Sequence, residues 1–97
     1  MPYKIAYKAY AERDIWEIAD YLSDYSMSAA ENFLCEIKSR IEALAEMPLI
    51  YPKIVPHQEY RKMVIGMYVV AYIVNEQANE LIIMRVVHGR RNYQSEL

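Results

Sequence analysis

The sequence predicts a single α+β domain over residues 1–97, built as two layers in which a helix hairpin covers a β-sheet. One β-prone run and two amphipathic helical patterns come first, and three β-prone runs joined by short turns follow. The chain is long enough for one core, and its apolar fraction of 55% is typical of a folded globule. Because neither helix can bury its apolar stripe alone, we expect both helices to pack on the sheet.

The first two predicted elements are a strand and an acidic helix. The run YKIAY (3–7) is short and β-prone. From Ala9 to Tyr25, apolar side chains recur at helical spacing, which predicts an amphipathic helix. Acidic side chains occupy much of the rest of this segment and predict a negatively charged outer face: Glu12, Asp14, Glu17, Asp20 and Asp24.

A second helix follows after about three residues, which predicts a helix hairpin. Ser28 and Glu31 have the spacing of a capping box, in which two side chains satisfy free backbone N–H groups at the start of a helix. Glu36 and Arg40 are spaced for an ion pair on the helix surface. Pro48 ends the helix, because the residue before a proline avoids the helical region.

The second half predicts an antiparallel meander. A proline-marked extended connection at 47–59 leads into three β-prone runs, YRKMVI (60–65), YVVAYIV (68–74) and LIIMRVVH (81–88). A tight turn at Gly66 joins the first two runs, and a longer polar turn joins the last two.

Arg85 is an unusual residue in the last predicted strand. Strand alternation places it on one face with Leu81 and Ile83, while Val86 and His88 fall on the other face. An arginine among apolar neighbours needs a partner, and two roles stay open. It forms a structural pair with a carboxylate, or it binds an anion.

Composition excludes several kinds of site. Cys35 is the only cysteine, so an internal disulfide and a cysteine-based metal cluster are excluded. Because the sequence contains no Gly-rich phosphate loop, metal-ligand spacing or serine nucleophile motif, we expect no metal and no cofactor. No signal peptide or membrane-spanning run is apparent, which predicts a cytoplasmic protein without membrane contact.

Positive charge is concentrated in the second half of the chain. Residues 1–50 carry nine acidic and five basic side chains, whereas residues 51–97 carry four acidic and six basic ones. An anionic ligand or target is therefore expected to contact the second half. The candidate residues are Arg61, Lys62, Arg85, His88, Arg90, Arg91 and Tyr93.

These residue types would suffice for RNA cleavage. A base would remove the 2′-hydroxyl proton, an acid would protonate the leaving 5′-oxygen, and arginines would stabilise charge on the phosphate. His88 and Tyr93 are the candidates for the acid and the base. Arg85, Arg90 and Arg91 are the candidates for charge stabilisation.

The chain as a whole resembles the RelE/ParE superfamily of type II toxin–antitoxin toxins. AERDIWEIADYL (11–22) is similar to the family's first helix, and AAENFLCEIKSRIEALAEMPLIYP (29–52) is similar to its second helix and the exit from it. EYRKMVIGMYVVAYIV (59–74) and IIMRVVHGRRNY (82–93) resemble the sheet and its ending. The resemblance covers nearly all of the chain, and the order of these motifs is more specific than any one of them.

The resemblance implies a growth-inhibiting bacterial toxin of the plasmid-stabilisation kind, held in a hetero-oligomer by a small cognate antitoxin. RelE-like members cut mRNA in the ribosome, whereas ParE-like members poison DNA gyrase. RelE-like nucleases tend to carry an arginine in the middle strand, but GMYVVAY (66–72) has Val69 at that place. A ParE-like gyrase inhibitor, which is not an enzyme, is therefore favoured. A RelE-like ribosome-dependent endoribonuclease is the alternative, and an inactive relative that only binds its antitoxin is the second.

Each reading predicts its own set of functional residues. In the nuclease alternative, the catalytic residues are Arg61, Arg85, His88 and Tyr93. The predicted target contacts are Arg61, Lys62, Arg90 and Arg91. We expect the antitoxin in an exposed apolar groove beside the helix hairpin, where the candidate contacts are Leu22, Tyr25, Phe33 and Ile37.

Overall fold

The computed structural model describes residues 2–54 and 59–90 of the chain. Its elements in chain order are β1 Lys4–Tyr7, α1 Ala9–Ser23, α2 Met27–Leu44, β2 Arg61–Ile65, β3 Tyr68–Asn75 and β4 Glu80–His88. The predicted α+β arrangement of a strand, a helix hairpin and a three-stranded antiparallel meander is confirmed. Arg91 and Tyr93 lie outside the described ranges. Their predicted roles, target contact for Arg91 and catalysis for Tyr93, therefore stay predictions.

The four strands form one sheet in the order β1-β4-β3-β2. The meander strands pair antiparallel, whereas β1 pairs parallel with β4. A parallel pair needs a long crossover connection, and the helix hairpin belongs to the chain that makes this crossover. Gly66 opens the two-residue turn between β2 and β3 with a φ of 58°, a conformation that glycine adopts without steric cost.

The core lies between the helix hairpin and one face of the sheet. Phe33, Ile37, Ile41 and Leu44 form the buried stripe of α2, as the helical spacing predicts. The sheet contributes the buried side chains Met63, Ile65, Val70, Tyr72, Leu81, Ile83 and Val86. Burying apolar surface from both layers in one shared cluster is what holds the hairpin on the sheet.

The helix boundaries differ from prediction at the hairpin turn. Helix α1 ends at Ser23, so Tyr25 lies in the three-residue connection rather than in the helix. The predicted capping box at Ser28 is wrong, because α2 begins at Met27 and its N-cap is Ser26. The Ser26 Oγ accepts a hydrogen bond from the Ala29 N–H at 3.2 Å, which satisfies one free donor of the first turn.

On the surface of α2, the sequence predicts an ion pair between Glu36 and Arg40. Arg40 does not pair with Glu36 in the described part of the chain. Its Nη2 instead donates to the Val64 carbonyl oxygen at 3.5 Å, which links α2 to strand β2. The side chain therefore joins two elements rather than two turns of one helix.

A β-bulge in β4 changes which side chains face the core. Ala71 lies opposite Arg85, but the next residue, Tyr72, lies opposite Ile83, so Met84 is an extra residue in the ladder. The predicted alternation is therefore wrong beyond Ile83. Val86 joins the core with Ile83, and Arg85 no longer shares the face of that side chain.

Candidate functional site

Arg85 is bound to a carboxylate of helix α1. Its Nε donates to Asp14 Oδ2 at 2.7 Å, and its Nη2 donates to Asp14 Oδ1 at 3.1 Å. The exposed fractions of the two side chains are 23% for Arg85 and 12% for Asp14. Of the two roles that the sequence left open for Arg85, the structure contains the carboxylate pair.

Asp14 also covers part of the edge of the sheet. Strand β1 pairs with β4 only as far as Ile83, so the last residues of β4 extend beyond it. Asp14 Oδ2 accepts the Val86 N–H at 2.9 Å on this extension. The prediction that Asp14 lies on the outer acidic face is therefore wrong. Its spacing of three residues from Ala11 and four from Ile18 places it on the buried stripe of α1, a signal that was present in the sequence.

Arg61 binds the connection that precedes the sheet. Its Nη1 donates to the carbonyl oxygens of Tyr51 at 2.7 Å and Leu49 at 3.4 Å. A backbone hydrogen bond from the Ile54 N–H to the Tyr60 carbonyl also attaches this connection to the start of β2. In this position, the half-buried Arg61 guanidinium holds the connection against strand β2.

His88 and Arg90 lie at the end of strand β4, beside the turn between β2 and β3. The His88 ring packs edge-on against Tyr68, with centroids 5.7 Å apart, and its Nδ1 accepts the Arg90 N–H at 3.2 Å. The neutral imidazole therefore carries its proton on Nε2. The Gly89 N–H donates to the Met67 carbonyl at 2.7 Å, which ties the end of β4 to the β2–β3 turn.

The described candidates for catalysis do not converge on one point. Arg61 lies opposite Tyr72, whereas His88 lies opposite Tyr68 on the same strand. Four residues of strand separate these positions by roughly 13 Å, before the lateral distance between strands is added. Arg85 lies between them along β4, with its guanidinium bound to Asp14.

Val69, the residue that departs from the nuclease pattern, is buried at the centre of the sheet. It is 4% exposed and lies between Val64 of β2 and Val87 of β4. Valine at this position is packed against aliphatic neighbours, and it offers no polar group to a phosphate.

A small apolar cavity adjoins Arg90. It has a volume of about 280 Å³, and Val64, Met67 and Arg90 are among the residues that line it. The exposed fractions are 54% for Val64 and 60% for Met67. We call these three residues the Arg90 patch.

A larger groove runs between α1 and the end of β4. We call it the α1–β4 groove; its volume is about 530 Å³, and it is lined by Asp14, Glu17, Ile18, Tyr21, Leu22, Met67, Tyr68, Val86, Val87 and His88. Its apolar walls come from the helix and from the β2–β3 turn. This is an exposed apolar groove beside the hairpin, of the kind that the sequence predicts for a partner.

Of the four predicted antitoxin contacts, one is exposed, one is half-buried and two are buried. Leu22 lines the α1–β4 groove, and Tyr25 is 73% exposed. Phe33 and Ile37 are buried in the core, so the assignment of these two residues to a partner surface is corrected. The sequence alone cannot separate these cases, because all four residues carry the same apolar pattern.

Tyr21 and Tyr25 form an aromatic pair at the hairpin turn. Their rings lie edge-on at 5.3 Å, and their hydroxyl oxygens are 3.2 Å apart. The hydrogen bond with Tyr25 raises the pKa of the Tyr21 hydroxyl. Tyr21, Met67 and Tyr68 are among the groove residues that sequence reasoning missed.

Neither metal chemistry nor membrane insertion gains support from the described residues. Over 2–54 and 59–90, no group of three or more His, Cys, Asp or Glu side chains could hold a metal ion. None of the helices in the described part of the chain combines the length and the apolarity needed to cross a bilayer.

Comparison with protein families identifies one that matches over most of the chain. Residues 5–93 match the profile of the ParE toxin of the type II toxin–antitoxin system parDE. A search of curated proteins found no match to this sequence.

Several solved structures share the fold. The chromosomal ParDE toxin–antitoxin system of P. aeruginosa matches with a TM-score of 0.75 and 14% identity, over 89% of this chain and 95% of that one. The RelBE2 toxin–antitoxin complex of Mycobacterium tuberculosis gives 0.68 and 18%, over 91% and 99%. The isolated RelE toxin of E. coli gives 0.67 and 16%, over 97% and 93%. At such identities the likeness shows the fold alone.

Proposed function

The chain belongs to the family of ParE toxins of type II toxin–antitoxin systems, and on that premise we propose that it inhibits DNA gyrase by direct protein contact. A cognate antitoxin would neutralise it in a hetero-oligomer. The proposal concerns the target and the mode of action. A shared fold does not decide between gyrase binding and RNA cleavage.

The observation that carries the proposal is the composition of the Arg90 patch. An exposed arginine beside an exposed methionine and valine is the mixture that protein interfaces favour, since Arg and Met are enriched there. A phosphate site would instead gather several cations around one point. Among the described residues, Arg61 begins strand β2, whereas Arg90 follows the end of β4 beside the turn that ends β2.

The aliphatic centre of the sheet supports the same proposal. Val69 occupies the place where RelE-like nucleases tend to carry an arginine, and it is packed between two other valines. Removing a charge-assisted contact costs about 1.5–3 kcal/mol, so an active nuclease would need compensating contacts elsewhere.

Purified protein in a gyrase supercoiling assay tests the proposal. We expect the wild type to inhibit supercoiling and Arg90→Ala to inhibit about 10–100-fold less, as expected for the loss of a charged interface contact. Lys38→Ala is the matched control, since Lys38 is an exposed cation on α2 and lines neither the Arg90 patch nor the α1–β4 groove. Full gyrase activity at saturating wild-type protein would refute the proposal.

One observation favours the nuclease alternative. His88 presents an Nε2–H group that can donate a hydrogen bond, because Nδ1 accepts the Arg90 N–H, and the Arg90 cation lies two residues further along the chain. If this pair acts on RNA, His88→Gln should abolish new mRNA ends while antitoxin binding persists. A toxic chain with unchanged mRNA ends would count against this alternative.

We further propose that the antitoxin binds the α1–β4 groove. The groove presents apolar walls from Ile18 and Leu22 and has Tyr21 at its rim, which suits the apolar face of an amphipathic helix. It also includes Met67, so a segment bound there would reach the Arg90 patch and compete with the target. This arrangement would explain neutralisation without a separate conformational change.

Alanine substitutions of two exposed tyrosines on α1 test the antitoxin surface. Tyr21→Ala should weaken antitoxin binding by about tenfold or more, because aromatic anchors dominate interface energies. Tyr10→Ala is the matched control, since Tyr10 is 66% exposed on the same helix and lines no described groove. Equal antitoxin affinity in the two variants would place the interface elsewhere.

A further inference from the structure

The outer side of the helix hairpin carries a second groove, which we call the hairpin cleft. Its floor is made by Ala19 and Ala30, which are each 6% exposed. Its walls include Trp16, Met27 and Leu34, and the exposed fractions are 64% for Trp16 and 65% for Met27. Small residues between larger ones leave a channel of about 530 Å³ into which side chains of another helix can insert.

This cleft is a different surface from the α1–β4 groove. The two share Glu17, but otherwise they use different residues of α1. Asp14, Ile18 and Leu22 face the groove, whereas Trp16 and its neighbours form the cleft. A partner segment in one of them therefore leaves most of the other uncovered.

The rim of the cleft is acidic. Three carboxylates, Glu17, Asp20 and Glu31, are exposed there, against one cation, Arg13. This charge disfavours a second copy, which would bring an equally acidic rim, and it repels nucleic acid. Apolar walls with an acidic rim instead complement a helix that has one apolar face and flanking lysines or arginines.

From this complementarity we propose that the hairpin cleft binds a basic amphipathic helix of a partner protein. The lining residues span Arg13 to Asp20 on α1, about two turns or roughly 10 Å, so the bound segment needs about three turns. Its apolar side chains would cover Trp16 and Met27, and its cations would pair with Asp20 and Glu31. The surface is independent of the proposed gyrase and antitoxin contacts.

The protein carries its own reporter for this binding. Trp16 is the only tryptophan in the chain, so fluorescence selected at tryptophan reports on the cleft. The probe is an 18-residue helical peptide of leucine and lysine without aromatic residues, and its matched control has glutamate in place of lysine. We expect the lysine peptide to shift the Trp16 emission to shorter wavelength in a saturable titration, and the glutamate peptide to have no effect.

Paired charge reversals distinguish peptide binding in the cleft from nonspecific electrostatic attraction to the protein. Asp20→Lys with Glu31→Lys should weaken binding of the lysine peptide at least tenfold. Glu36→Lys with Glu46→Lys changes net charge equally at exposed positions outside the cleft and should leave binding within about twofold. Circular dichroism would confirm that both variants are folded.

Three results would overturn the proposal. An unchanged Trp16 emission at saturating lysine peptide means that the cleft is not occupied. Equal losses in the two charge-reversal variants mean that binding follows net charge alone. A concentration-dependent blue shift without peptide, together with dimers in sedimentation, means that a second copy fills the cleft instead.

Discussion

Two polar side chains, the buried Tyr72 and the partly exposed Asp14, hold elements together through bonds that the sequence does not predict. Tyr72 has no exposed surface, and its hydroxyl donates to the Pro48 carbonyl at 3.0 Å. Burial raises the pKa of Tyr72 to about 12. Asp14 joins α1 to β4 across 71 residues of sequence. Local periodicity predicts neither partner, because both bonds depend on how the layers are stacked.

Replacing Tyr72 by phenylalanine should leave the Pro48 carbonyl buried without its donor. At pH 7 we expect the free energy of unfolding to fall by about 1–3 kcal/mol in urea denaturation. Tyr10→Phe, at an exposed position, should change it by less than about 0.5 kcal/mol.

The same variant carries a pH prediction. The folded-state pKa of Tyr72 is about 12, whereas an unfolded tyrosine titrates near its ordinary value of 10.0. The unfolded chain therefore loses this proton first, and Tyr72 contributes stability below pH 10 that declines as the pH rises towards 12. The stability difference between wild type and Tyr72→Phe should shrink over that interval, and a constant difference would contradict the assignment.

Asp14→Ala should remove both the bidentate pair with Arg85 and the acceptor of the Val86 N–H. We expect a loss of about 2–3 kcal/mol, below the roughly 3–5 kcal/mol of a fully buried pair because both side chains keep some exposure. Asp20→Ala, an exposed carboxylate on the same helix, should cost less than about 0.5 kcal/mol. Comparable losses in these two variants, measured by urea denaturation, would contradict the structural role of Asp14.

At the scale of elements, periodicity predicted the type and order of all six elements, and their limits lie within about three residues of the patterns; the largest difference is at the end of α2, which stops at Leu44 before Pro48 is reached. It succeeded because helical and strand spacings persist over several turns or residue pairs. It failed where a nearby residue competes for the same role, as Ser26 does with Ser28. It also failed at Met84, because the bulge arises from pairing between β3 and β4 and leaves no mark in the pattern of β4 itself.

Serine substitutions at the hairpin turn test the position of the helix cap. Ser26→Ala should cost about 1 kcal/mol, because the Ala29 N–H loses its acceptor. Ser28→Ala should cost clearly less, since the Ser28 hydroxyl bonds only to Ser26 in the described structure. A larger loss at Ser28, measured by thermal or urea unfolding, would restore the capping box that the sequence suggested.

At the scale of the whole molecule, both layers contribute to one apolar cluster, and Asp14 and Arg40 link the two layers further. Tyr72 attaches the connection between α2 and β2 to the sheet. We therefore propose that residues 1–97 unfold as one domain. Circular dichroism in the far ultraviolet and tyrosine signals in the near ultraviolet should then change in a single coincident transition. Two separated transitions would mean that the hairpin and the sheet are independent units.

The surfaces of the molecule could be predicted less well than its core. Basic residues were visible in the sequence, but their separation along the strands appears only once strand register is known. The Arg90 patch and the α1–β4 groove depend on turns and layers that bring distant residues together. Function therefore rests on geometry here more than on any one motif.

The most direct test of gyrase inhibition is plasmid topology in cells during induction of the chain, sampled before growth stops. We expect plasmids to lose negative supercoiling and gyrase–DNA cleavage complexes to appear, while mRNA 5′ ends stay as in uninduced cells. Co-expressed antitoxin should restore normal topology. Unchanged supercoiling together with new mRNA ends in reading frame would contradict the account and favour ribosome-dependent cleavage.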